Sequence, residues 1–183
     1  MGVIILEKYY IYVVLVRTTT IISRLIQFAK SDEYTHAAIS FDIKLDSMYS
    51  FSRKHTYYPF IGRFKHEELD KGVYGTHKIL PGMIMEIEVT KEQHQKAKEL
   101  LNQFITNSNH YKYNYIGLLY GLINKPIYYD NRFVCSEFVY YILKESGIAD
   151  LEIPRSLVRP QNLLNLKSKC VYKGNLKEIQ FAK

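Results

Sequence analysis

The chain alternates between two hydrophobic periods. "YIYVVLV" (10–16) is a β-branched and aromatic run of strand length, which predicts a buried strand. "YTHAAISFDI" (34–43) alternates and predicts a second strand, with His36, Ala38 and Ser40 on one face. "SMYSFSRK" (47–54) follows as its partner across a short turn around Lys44, and "MIMEIEV" (83–89) alternates as a further strand. Helical spacing recurs between them. Thr18 to Thr20 supply cap oxygens for "IISRLIQFAK", whose Ile21, Ile22, Leu25, Ile26 and Phe28 fit a helix lying on a core. Thr90 and Gln93 make a capping box that opens a helix from Lys91 to about Ile105. "NYIGLLYGLI" (114–123) reads as an apolar helix, and Phe138, Tyr141 and Ile142 give another that starts at Cys135 and stops at Gly147.

Punctuation fills the remainder. Residues 57–82, with Pro59, Gly62, Gly72, Gly75 and Pro81, are expected to form a long irregular surface segment, and such segments are often functional. Residues 151–166 predict a loop with a short helix after Pro160, and 170–179 a terminal hairpin around Gly174. Strands and helices are segregated, which predicts an α+β fold with an antiparallel sheet packed on helices. At 183 residues, one domain spanning 1–183 is expected.

Charge and composition narrow the partners only partly. The net charge of +7 favours anionic partners, whether wall polymer, phospholipid headgroups or nucleic acid. Seventeen tyrosines are spread along the chain with no fixed spacing. No nucleic-acid motif accompanies them, so no nucleic-acid partner is expected. The apolar N-terminus is split by Glu7 and Lys8, too short to span a bilayer, and lacks a signal-peptide pattern. A cytoplasmic protein without a membrane span is the expectation, and its two cysteines, Cys135 and Cys170, then read as free thiols.

Cys135 falls where a strand-like run meets a helix N-terminus, where unpaired backbone N–H groups and the helix dipole favour a thiolate. On position alone a small buried apolar cysteine, which is what most lone cysteines are, is the favoured reading. A nucleophilic thiol needs a base, and of the six histidines only His36 lies within a predicted strand. There it shares a face with the small residues Ala38 and Ser40. The cysteines and histidines make no metal-binding spacing, and no cofactor is expected.

"FVCSEFVYYILKESGI" followed by "IPRSLVRPQNL" resembles the nucleophile segment of the NlpC-type, papain-like cysteine peptidases, and "EYTHAAISFD" resembles their histidine strand. His36 precedes Cys135, the order of the circularly permuted branch, the YiiX-like and lecithin retinol acyltransferase-like proteins. The resemblance covers about residues 11–166 in outline. It implies a permuted papain-like domain with Cys135 as nucleophile and His36 as general base. A third polar residue is implied on the strand after the histidine strand, where Asp46 and Ser50 are the candidates. Ser50 is favoured because it lies deeper in the sheet, although the branch more commonly carries a histidine or glutamate in that role. A tyrosine hydroxyl is implied at the oxyanion, with Tyr113 at the matching place and Tyr111 and Tyr115 as close competitors.

The implied activity is that of a cysteine-dependent amide hydrolase, a peptidase or amidase working through an acyl-thioester, on a small peptide such as a peptidoglycan stem peptide. A thiol acyltransferase on lipid-like or other amide substrates is the alternative, and a binding module that keeps the fold without turnover is a third. Either enzyme requires the thiol and imidazole to stand within about 4 Å or one water of each other.

Overall fold

The computed structural model describes residues 7–18, 31–53 and 62–179. The helix expected over residues 21–30 lies outside them, as does the start of the 57–82 segment. Six strands form one antiparallel sheet: β1 (Tyr9–Val16), β2 (His36–Ser40), β3 (Met48–Arg53), β4 (Gly62–His66), β5 (Pro81–Val89) and β8 (Lys169–Asn175). Their order across the sheet is β4-β3-β2-β1-β5-β8. Among the described residues four α-helices accompany them: α1 (Gly72–Gly75), α2 (Lys91–Thr106), α3 (Tyr115–Leu122) and α4 (Cys135–Glu145). A two-residue parallel pair, β6 (Lys112–Tyr113) and β7 (Arg132–Phe133), stands in front of α3 and α4.

The central strand explains the two core layers. β1 is apolar on both faces, so alternation sends Ile11, Val13 and Leu15 to one layer and Tyr12, Val14 and Val16 to the other. Helices α2 and α4 cover the first layer with Ala97, Leu101, Phe104, Phe138, Val139 and Ile142. Five phenylalanines, Phe51, Phe64, Phe104, Phe133 and Phe138, meet there with centroid separations of 5.0 to 6.1 Å, a range in which edge-to-face and tilted contacts are favourable. The second layer holds Ala38, Met48, Tyr74, Leu80, Ile84 and Leu176. The Thr90 capping box forms: its side chain accepts from the Gln93 N–H at 3.2 Å and Gln93 Oε1 accepts from the Thr90 N–H at 3.0 Å.

Two expectations are corrected. The 57–82 segment is not irregular throughout, because its Gly62–His66 stretch pairs with β3 from Tyr49↔His66 to Arg53↔Gly62 and extends the sheet. As an edge strand, β4 buries only Phe64, so it carries too little alternation to be read. Residues 170–179 form no hairpin. Lys169–Asn175 runs as a single strand along β5, with Gly174 opposite Gly82. A Cβ at Gly82 would stand 2.5 Å from Leu176 Cδ1 and 2.7 Å from the Leu15 carbonyl, so this crossing requires glycine for close approach.

One irregularity positions the site. β2 pairs with β1 along its whole length, down to Val16↔His36, yet it pairs with β3 only at Ile39↔Tyr49 and Ser40↔Met48. Beyond Ile39 the two strands part, and Ser50–Arg53 pair with β4 alone. The sheet is therefore split at the His36 end.

Candidate functional site

Cys135 is the first residue of α4, after the extended N-cap Val134 (φ −94°, ψ 171°). Three polar contacts fix this helix start. The buried Glu137 carboxylate accepts the Val134 N–H at 2.8 Å, the backbone half of a capping box. Asn114, the N-cap of α3, donates to both Glu137 oxygens at 3.2 and 3.3 Å while its own Oδ1 accepts the Gly117 N–H at 2.9 Å. Ser136 Oγ donates to the Val158 carbonyl at 2.5 Å, tying the helix to the 151–166 loop. The thiol is thus held by a helix end anchored through the Val134 N–H, the Glu137 carboxylate and the Ser136 hydroxyl.

The thiol and the His36 imidazole adjoin at the split. By strand alternation His36 belongs to the face of Ala38, the second layer, whereas α4 covers the first. They meet because Cys135 begins its helix and His36 begins its strand, where no β3 partner stands between them. The Ala37 and Ser136 N–H groups also point at the sulfur. Burial by itself pushes the thiol pKa up. The charge and hydrogen bond of the neighbouring imidazole, together with the two N–H groups, outweigh it, and the net shift is downward.

His36 is held from its other side. Its Nε2 stands 3.5 Å from Glu67 Oε1, so Nδ1 is the nitrogen left to face the thiol. Burial pulls the imidazole pKa down, but the Cys135 charge and hydrogen bond and the Glu67 carboxylate together raise it to about 9. Glu67 follows β4 directly, and its N–H donates to the Met48 carbonyl at 2.7 Å. Its carboxylate accepts from Ser50 Oγ at 2.6 Å and pairs with Lys65 Nζ at 3.1 Å. Burial pushes its pKa up, yet His36, Lys65 and Ser50 bring it down to about 2. The Cys135 thiol, the His36 imidazole and the Glu67 carboxylate are therefore neighbours in one chain of contacts, with the charge of each favouring the ionised form of the next.

The expected third residue is displaced by one position in this chain of contacts. Ser50 is fully buried and on the expected strand, but its hydroxyl reaches Glu67, and it is the Glu67 carboxylate that faces His36. Asp46 lies at the turn, where its carbonyl accepts from His66 Nε2 at 2.6 Å. Sequence reading missed Glu67 because it belongs to the segment read as irregular. Its one signal is the acidic pair Glu67–Glu68 closing a basic stretch.

Cys135, His36 and Glu67 line a cavity of about 90 Å³ with Phe51, Leu118 and Val158 among its apolar walls. Tyr113 lines it too, its ring 4.6 Å from that of Tyr115 and pressed onto Gly62, where a Cβ would meet Tyr113 Cδ2 at 2.4 Å. Tyr111 is instead stacked on Phe104 at 4.1 Å, a core position. Tyr74, from α1, also reaches the cavity, with its ring edge-on to His36 at 5.8 Å. Cys170 is exposed on β8. Among the described residues no helix is long and apolar enough to cross a membrane.

No family model, no curated protein and no solved structure matches the chain.

Proposed function

We propose that the protein is a cysteine-dependent acyl hydrolase, a peptidase or amidase, with the circularly permuted papain-like fold that its His36 strand and Cys135 segment resemble. The observation that carries this reading is the contiguity of the Cys135 thiol, the His36 imidazole and the Glu67 carboxylate at the edge of a cavity. Cys135 Sγ attacks the acyl carbonyl carbon, forming a C–S bond as the C=O π pair moves onto oxygen. The C=O bond then re-forms and the leaving group departs with the proton of the His36 imidazolium, leaving an acyl-thioester. In hydrolysis His36 next takes a proton from water as the hydroxide oxygen bonds to the thioester carbon, and the C–S bond then breaks to release the acid and restore the Cys135 thiolate beside the His36 imidazolium.

In this proposal Glu67 holds the imidazole and Ser50 holds Glu67, so Ser50 acts through the carboxylate. Tyr113 remains the tyrosine that the resemblance assigns to the oxyanion. The apolar cavity walls favour an apolar acyl portion. They also support capture by an acceptor other than water, which would make the protein an acyltransferase. Stem peptides of peptidoglycan are the peptide class that the resemblance names, and a cytoplasmic location belongs to the same proposal.

The test is a single-turnover reaction with p-nitrophenyl butyrate. Release of one equivalent of nitrophenol, with a butyryl mass added at Cys135, is the expected result. A protein that takes no acyl group at Cys135 would be a binding module. If added amines or alcohols shorten the life of the acyl-enzyme more than water does, the enzyme is a transferase.

A further inference from the structure

Buried polar atoms in folded proteins almost always have a hydrogen-bond partner, so the exceptions point to what is missing. Among the described residues, three buried polar atoms without one line the Cys135 cavity: His36 Nε2, Ser52 Oγ and the Tyr74 hydroxyl. Glu67 Oε1 faces the first of these at 3.5 Å. Ser52 and Tyr74 each carry a hydroxyl proton that nothing among the described residues accepts, and Tyr74 is the one set edge-on against His36.

Tyr74 is also placed with little freedom. It is 2 % exposed, its ring is packed in the second core layer beside Ala38, Met48 and Leu80, and it meets His36 edge-on. Its helix opens at Gly72, whose φ of +57° is a backbone conformation that favours glycine. Burial pushes the phenol pKa well above 10, and the charges of Glu67 and Cys135 act in the same direction. The hydroxyl thus remains a donor wherever the thiol is active, within the electrostatic reach of both groups.

We propose that Tyr74 is a further catalytic residue, whose buried hydroxyl donates to the acyl oxygen of the substrate attacked by Cys135. This rests on the acyl-transfer reading above. As the C–S bond forms, the carbonyl π pair becomes an oxyanion, and the Tyr74 O–H hydrogen-bonds to it without giving up its proton. When the C=O bond re-forms, that hydrogen bond weakens. Such a donor acts in the transition state more than in the ground state, and losing one typically slows the reaction on the order of 100-fold. The substrate class it selects is one with a carbonyl acceptor, such as an ester, amide or thioester.

The experiment uses Tyr74→Phe, which keeps the ring and its packing, and two reagents that differ in one respect. Iodoacetamide alkylates a thiolate by displacement at a saturated carbon and makes no oxyanion. p-Nitrophenyl butyrate acylates it through one. The expected result is an alkylation rate at Cys135 within about twofold of wild type and an acylation rate lowered on the order of 100-fold. Equal acylation rates in the two proteins would overturn the role of Tyr74 while leaving the cysteine chemistry intact. Parallel loss of both reactions would also overturn it, since that outcome makes Tyr74 a residue that positions the thiol. A wild-type protein that is neither alkylated nor acylated at Cys135 would remove the underlying reading as well.

Discussion

His36 Nε2 and Glu67 Oε1 stand 3.5 Å apart, and the same carboxylate oxygen accepts from Ser50 Oγ at 2.6 Å. This relationship orders the whole site, because it fixes which ring nitrogen faces Cys135. Glu67→Gln keeps the shape and removes the charge. Acylation of Cys135 should then fall by at least about 100-fold, as expected when an imidazole loses its orienting carboxylate. Ser50→Ala leaves the carboxylate in place, so its effect on acylation should be much smaller, with a stability loss of about 1–3 kcal/mol from the lost buried bond. Acylation rates and urea melts of both variants separate the two roles. A larger kinetic effect for Ser50→Ala than for Glu67→Gln would reverse the order.

The pH dependence follows from opposite shifts. Glu67 is lowered from 4.5 to about 2, so it contributes stability that is present above pH 4.5 and lost as the pH falls toward 2. His36 is raised from 6.5 to about 9, so its contribution is present below pH 6.5 and lost as the pH rises through about 9. Acylation needs the thiolate and, for departure of a poor leaving group, the imidazolium. The rate on an amide substrate should therefore fall through about pH 9 as His36 loses its proton. In Glu67→Gln that alkaline limb should move to lower pH, because one of the groups that raise the His36 pKa is gone. A limb that stays in place would detach Glu67 from His36.

Glu137 offers an independent test of the helix start. Burial raises its pKa from 4.5 to about 7, against the opposing effects of the Val134 N–H, Asn114 and Arg155. A carboxyl with a raised pKa contributes stability that is present below pH 4.5 and lost as the pH rises through about 7. Glu137→Gln removes that loss. The difference in Tm between variant and wild type should move in the variant's favour from pH 5 to pH 8, as read by thermal melts in the two buffers. A constant difference would mean that Glu137 does not titrate in this range.

Much of this site was legible in the sequence, for physical reasons that also explain the gaps. Strand alternation marks His36 with Ala38 and Ser40, and the helical period with Gly147 as its stop puts Cys135 at a helix start. Both are local signals carried by several residues. Glu67 had only the Glu67–Glu68 pair, because β4 is an edge strand with Phe64 as its one buried residue, and the carboxylate takes its meaning from β2 across the split. Ser50 was read at the right depth, but only the three-dimensional arrangement places a carboxylate between it and the imidazole. Gly174 read as a turn because a glycine in an extended strand and a glycine in a hairpin look alike in sequence. The close packing of Leu176 on Gly82 is a long-range fact.

The central claim is that His36 activates Cys135, and Cys170 is the control within the same chain. Cys135 is 7 % exposed and Cys170 is exposed, so access alone would favour Cys170 in any labelling reaction. A limiting amount of iodoacetamide at pH 6, read by peptide mass, measures the two sites together. The predicted result is modification of Cys135 ahead of Cys170, with His36→Ala slowing labelling at Cys135 and leaving the Cys170 rate unchanged. Faster labelling of Cys170 in the wild type, or a Cys135 rate indifferent to His36→Ala, would contradict the account.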